Sequence, residues 1–170
     1  MKNYLIALFS IALISMSSCS KDDDEQSAPD PQGTITANIS ESTRISFFDE
    51  YMNYEILELY LYFPNNFIIY GKEIFDHSYS KWYYCYISVC NVGKIRGLGD
   101  IKKIPQTGFS TEKKLDTSIA CEVGYGYVFK IRSEFSNRDF YVRLYVEELL
   151  VSTLGGIIGA KVKYQYPFEP

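Results

Sequence analysis

Ile157-Ile158-Gly159-Ala160-Lys161-Val162-Lys163-Tyr164-Gln165-Tyr166 decides the fold class. Ile158, Ala160, Val162, Tyr164 and Tyr166 fall at every second position, and Lys161, Lys163 and Gln165 lie between them. A period of two puts one set of side chains on a dry face and the other in water, which is the signature of a half-buried β-strand. The same pattern recurs upstream. Leu57, Leu59, Leu61 and Phe63 alternate with Glu58, Tyr60 and Tyr62. Tyr83, Cys85, Ile87 and Val89 form another set, as do Tyr125, Tyr127, Phe129 and Ile131 against Lys130 and Arg132. Phe140, Val142, Leu144 and Val146 alternate with Asp139, Arg143 and Glu147.

Turn residues separate these runs. Pro64-Asn65-Asn66 divides the first from Phe67 to Tyr70, and Gly93 to Gly99 divides the third from a strand expected over Ile101 to Ile104. Leu154-Gly155-Gly156 joins the last two as a hairpin. Glu112 to Ser118 reads as a loop or a helical turn. Helical periodicity is absent from Thr34 onward, so an all-β, antiparallel β-sandwich or partly closed β-barrel of about eight short strands is expected.

The first residues carry an address. Lys2, the apolar run Leu5 to Ile14, and the small residues Ser15, Ser17 and Ser18 stand before Cys19, which is followed at once by Ser20-Lys21-Asp22-Asp23-Asp24-Glu25. This resembles a bacterial lipoprotein signal spanning residues 1–18, with Met16 where such signals more often carry Leu. The apolar run falls short of the roughly 20 helical residues that a bilayer core needs. Cleavage would leave Cys19 acylated at its sulfur and amino group, holding the chain on a membrane without crossing it. The run Ser20-Lys21-Asp22-Asp23 resembles the export signal that Bacteroidetes use for lipoproteins on the outer face of the outer membrane. Residues 19–33 then form the lipidated cysteine and an acidic tether closing at Pro29, Pro31 and Gly33, with a root-mean-square reach of about 20 Å. Residues 34–170 form one domain, of a size that can hold a core without disulfides.

Charge and chemistry exclude more than they assign. The chain has 17 Lys and Arg against 21 Asp and Glu, a net charge of −4, and the excess acids sit in the tether. The folded part is nearly neutral, with no basic footprint for nucleic acid. With Cys19 acylated, Cys85, Cys90 and Cys121 remain. Cys85 and Cys90 lie about 16 Å apart in one extended strand, beyond disulfide reach. Buried free thiols are expected, the alternative being a bridge from Cys121 to one of them. His77 is the only histidine and reads as a surface loop residue. It leaves no histidine-based metal cluster and few routes to acid–base work. No two of the carboxylates are singled out as a hydrolytic pair. Gly124-Tyr125-Gly126-Tyr127 has Phe129 at the third glycine place of a phosphate loop and reads as a turn or bulge at a strand start. No cofactor is implied.

The aromatic load is the remaining signal. Sixteen Tyr, eleven Phe and one Trp exceed what a core of this size must bury. Tyr60, Tyr62, Trp82, Tyr84, Tyr86, Tyr141 and Tyr145 fall opposite the aliphatic stripes. Such rings stack on sugars or form protein interfaces, or they are buried where both faces of a strand are covered. The function expected is a non-catalytic binding module for a glycan or a protein, anchored by lipid and facing the exterior. The alternatives are a structural or assembly subunit of an outer-membrane or fimbria-like complex, and a hydrolase.

Cys90-Asn91-Val92-Gly93-Lys94-Ile95-Arg96-Gly97-Leu98-Gly99, the Ile104-Pro105 pair, Gly124-Tyr125-Gly126-Tyr127-Val128, Arg143-Leu144-Tyr145-Val146, Gly155 to Ala160, and Lys163-Tyr164-Gln165 with Pro167-Phe168 occur in an order that resembles a family of Bacteroidetes lipoproteins known only as a domain of unknown function. The resemblance covers the second half of the domain. It implies a small β-rich lipoprotein and brings no activity or functional residues. Phe109 stands where similar chains show Trp, and Tyr166 is inserted between Gln165 and Pro167.

Overall fold

The computed structural model describes residues 27–62, 65–114 and 116–169. The signal, Cys19 and the start of the tether, Ser20 to Gln26, lie outside the described residues, as do Phe63 and Pro64. The chain is all-β. Eleven strands run as β1 (Ile35–Ile39), β2 (Ile45–Asp49), β3 (Tyr54–Tyr62), β4 (Asn66–Gly71), β5 (Glu73–Asp76), β6 (Lys81–Lys94), β7 (Lys113–Lys114), β8 (Asp116–Ala120), β9 (Tyr125–Ser133), β10 (Arg138–Val151) and β11 (Ile157–Gln165). The larger sheet has the order β1-β11-β10-β9-β6-β5, with β7 also on β6. The smaller sheet has the order β2-β3-β4-β8, and every pairing is antiparallel.

The two sheets pack face to face and the chain crosses between them on both flanks. On one flank β4 leads through Lys72 into β5, with the Lys72 N–H donating to the Ile56 carbonyl and its own carbonyl accepting from the Cys85 N–H. The segment after Phe109, which bridges to Cys90, next pairs as β7 with β6 and as β8 with β4. On the other flank β1 and β2 are joined through Ser40–Arg44, where the Ser40 N–H donates to the Thr43 carbonyl. The result is a sandwich closed most of the way into a barrel.

The core follows the period of two. Leu57, Leu59 and Leu61 of β3 meet Cys85, Ile87 and Val89 of β6, Tyr127, Phe129 and Ile131 of β9, and Val142, Leu144 and Val146 of β10 between the sheets. Burying each such aliphatic or aromatic side chain contributes about 1.5–3 kcal/mol. Phe67 meets Tyr127 edge-on at 5.5 Å, and Phe47 meets Tyr164 at 5.6 Å and Tyr166 at 5.3 Å, so aromatic pairs join the sheets at several levels. Tyr166 thus packs against the smaller sheet and donates its hydroxyl to the Phe48 carbonyl.

Three local expectations change. Ile101 to Ile104 is not a strand: after the 3-10 turn Leu98–Asp100 it runs back over the outer face of the larger sheet. There Leu98 and Ile101 join Cys90, Val128 and Phe168 in a second, smaller core. Ile101 is buried, Lys102 and Lys103 are exposed and Ile104 is half-buried, and the segment has no strand partner. Glu112 to Ser118 is neither loop nor helical turn but contains β7 and the start of β8. Ile158, expected on the dry face, is turned out. The β10–β11 register steps from Leu150↔Gly159 to Val151↔Ile157, leaving Ile158 as the extra residue of a bulge. A second bulge at Val92, between the pairs Asn91↔Tyr127 and Gly93↔Gly126, bends β6 at the Gly124–Tyr127 strand start. Gly159 sits where a Cβ would lie 2.6 Å from the Ile39 carbonyl oxygen, so only glycine lets β1 approach β11 there.

The last part of the tether lies on the domain. Ser27 rests against Gly97, the Ala28 N–H donates to Asp100 Oδ1 at 3.4 Å, Asp30 pairs with Lys163 at 2.8 Å, and the Gln32 carbonyl accepts from Gln165 Nε2 at 3.0 Å.

Candidate binding surface

The last β6–β9 pair is Cys85↔Ser133 and the Glu134 N–H still donates to the Tyr84 carbonyl, so Lys81 to Tyr83 and their partners Ile74 to Asp76 of β5 continue past this pairing as a two-stranded arm. Its turn is shaped by local chemistry, with Asp76 Oδ1 accepting from the Ser78 N–H at 2.8 Å and Ser80 at φ 49°. Phe75 and Trp82 face each other across this arm, ring centroids 5.0 Å apart at 49°, and His77 stands edge-on to Phe75 at 4.9 Å. Trp82 is 49% exposed. Glu73 is exposed beside this patch and supplies a polar group at its border, whereas Lys81 lies on the other face over the Tyr83 ring.

The seven rings singled out from the sequence do not share one surface. Even-numbered residues of β6 face outward, which places Trp82, Tyr84 and Tyr86 on the outer side of the larger sheet. Tyr60 and Tyr62 are on the outer side of the smaller one. Tyr84 lies under the Lys114 ammonium, 3.1 Å from its centroid. Tyr86 lies under Arg132 at 5.1 Å and donates its hydroxyl to Glu134 Oε1 at 3.0 Å, a bond that raises its pKa. Tyr60 is covered by Arg44 at 4.6 Å, whereas Tyr62 is 50% exposed. Tyr141 and Tyr145 pack against the small outer core. Cations thus occupy the ring faces of Tyr60, Tyr84 and Tyr86, while Trp82 and Tyr62 are open, on different sheets, and Trp82 is the one with an aromatic partner beside it. Sequence reading missed its partner Phe75. The signal available was the pair of aromatic residues flanking the turn formers from Asp76 to Ser80.

Other features offer less. A cavity of about 220 Å³ lined by Glu50, Tyr51, Arg138, Tyr141, Tyr166 and Phe168 is below the range of ordinary ligand sites. Among the described residues no three His, Cys, Asp or Glu side chains cluster as a metal site. Cys85, Cys90 and Cys121 are buried free thiols. Cys85 and Cys90 differ in parity, so one enters the main core and the other the outer core. Burial pushes the Cys85 thiol up to about 11 and that of Cys121 up to about 12, which keeps both protonated and weakly nucleophilic at neutral pH.

No family model matches this chain, and no curated protein or solved structure does either. The surface chemistry therefore stands on its own geometry.

The buried thiols and Tyr127, whose phenol burial pushes up to about 12, set the alkaline limit of the fold. Their folded pKa values lie above those of the unfolded chain, about 8.5 for thiols and 10 for phenols. The stability they contribute is therefore complete below about pH 8.5 and is lost as pH rises through 11 and 12. Urea midpoints are expected to be flat from pH 7 to 8.5 and to fall steadily above it. A midpoint unchanged at pH 11 contradicts this account.

Proposed function

We propose that this chain is a non-catalytic binding module, lipid-anchored on the outer face of the outer membrane, that takes a glycan or protein ligand on the Phe75–Trp82 arm. The observation that carries the reading is the half-open Trp82 ring, backed by Phe75 and His77 on a hairpin that projects beyond the sheet. A flat apolar face with polar neighbours suits stacking against a sugar ring or anchoring a protein contact, at low cost in side-chain entropy. The Cys19 signal and the lipoprotein resemblance support the anchor.

Trp82 is the only tryptophan, so its emission reports on the surface directly. Titration of the mature chain with a panel of surface oligosaccharides is expected to shift that emission, and Trp82→Ala is expected to weaken binding at least thirtyfold, the effect of losing a central aromatic contact of about 2 kcal/mol. Undiminished binding by Trp82→Ala overturns the site. If no glycan is retained, the sugar version fails and a protein ligand remains. Stoichiometric co-purification with an outer-membrane protein, unaffected by Trp82→Ala, would favour an assembly subunit instead.

A further inference from the structure

The ten residues Val151 to Ala160 carry no charge. They form the β10–β11 hairpin, where Leu154 is 96% exposed, Val151 57% and Ile158 58%. The turn satisfies much of its own backbone: the Ser152 N–H donates to the Gly156 carbonyl, the Gly155 N–H to the Ser152 carbonyl, and the Gly156 N–H to Ser152 Oγ. An apolar tip with internally paired backbone groups enters an apolar layer at reduced cost. We infer that this hairpin is a second membrane contact, dipping Val151, Leu154 and Ile158 into the lipid surface that holds the acylated Cys19. The inference rests on the lipid-anchor reading above.

The path of the chain points to a lipid surface as the occupant. Ser27 lies at Gly97, Asp30 at Lys163 and Gln32 at Gln165, so this segment runs along the sheet in the direction of β11, away from the hairpin. Ser27 is therefore at the hairpin side of this segment. Tyr145 pairs with Lys163, and Val151 is six residues further on, about 20 Å along the strand. The seven residues 20–26 between Cys19 and Ser27 span at most about 24 Å. A chain of that length is long enough to carry an acyl group on Cys19 to the level of Val151. The charges nearest the tip on β10 and β11 are Glu148 and Lys161, which face each other about 10 Å behind Val151. The Trp82 arm is at the other end of β6, twelve residues from Lys94 and so about 40 Å along the strand.

The test uses the mature acylated chain in phosphatidylcholine vesicles with brominated acyl chains. In the variant Trp82→Phe, Leu154→Trp, tryptophan emission is expected to fall at least twofold relative to unbrominated vesicles, while the native Trp82 of the unmodified chain loses less than a tenth. Leu154 is exposed, so the substitution leaves the core intact. Mass spectrometry of the same sample separates the two claims. An acylated Cys19 with an unquenched residue 154 overturns the hairpin inference alone, and an unmodified Cys19 overturns the anchor reading and the inference with it. Blue-shifted emission at 154 that bromine does not quench shows a protein cover, such as a second copy, and overturns the lipid contact. Equal quenching at 82 and 154 overturns the upright orientation.

Discussion

Replacing Tyr127 by alanine is expected to destabilise the domain by about 3–5 kcal/mol, up to half or more of the stability of an ordinary domain. Its ring is fully buried, edge-on to Phe67 of the facing sheet at 5.5 Å and parallel to Phe129 at 6.5 Å. Its hydroxyl donates to the Ala120 carbonyl at 2.7 Å and accepts from the Glu122 N–H at 3.1 Å, fastening the β8–β9 connection around the buried Cys121. Tyr127→Phe separates the two contributions. It keeps the ring and strands two backbone groups, at a cost of about 1–3 kcal/mol. Urea unfolding followed by Trp82 emission measures both. An alanine variant less than 1 kcal/mol below the native protein would show that this ring does not join the sheets.

The second large effect is expected at Arg143. The residue is 7% exposed, and among the described residues no carboxylate lies within ion-pair distance of its guanidinium. It donates from Nε and Nη2 to Gln165 Oε1 and from Nη1 to the Ile101 carbonyl, and it lies 4.4 Å over the ring of Phe168. One side chain thus ties β10, β11, the loop after the 3-10 turn and the C-terminal segment. Arg143→Ala leaves the Ile101 carbonyl and Gln165 Oε1 without their donor and exposes the Phe168 face, and is expected to cost about 2–4 kcal/mol. Arg143→Lys is expected to rescue little, because a single ammonium cannot span both acceptors and is harder to desolvate. Amide exchange is expected to rise first in residues 95–105 and 167–169. A loss spread evenly over the sheets would contradict this pinning role.

The strands that carry a long alternating run were legible in the sequence: β3, β6, β9, β10 and β11 each bury one parity in the main core, although Cys90, Val128 and Arg143 of the other parity are also buried, beneath the outer loop. The short ones were not. β1, β2 and β5 have four or five residues, too few for a period to stand out, and β7 and β8 are edge segments whose pairing depends on β6 and β4 arriving from elsewhere. Ile101 to Ile104 misled because burial beneath a folded-back loop imitates burial in a sheet. For the candidate site, parity gave the outward direction of Trp82, Tyr84 and Tyr86 but not their covers. Lys114, Arg132 and Arg44 approach from other strands, and those distances depend on tertiary register.

The tether segment lying along the sheet also governs how the domain bears load. A pull on the N-terminus is met first by the contacts of Ala28, Asp30 and Gln32 with Asp100, Lys163 and Gln165, which are stretched one after another rather than together. Under such a pull they are expected to part before the β1–β11 ladder is loaded. The segment is a shock absorber in series with the fold.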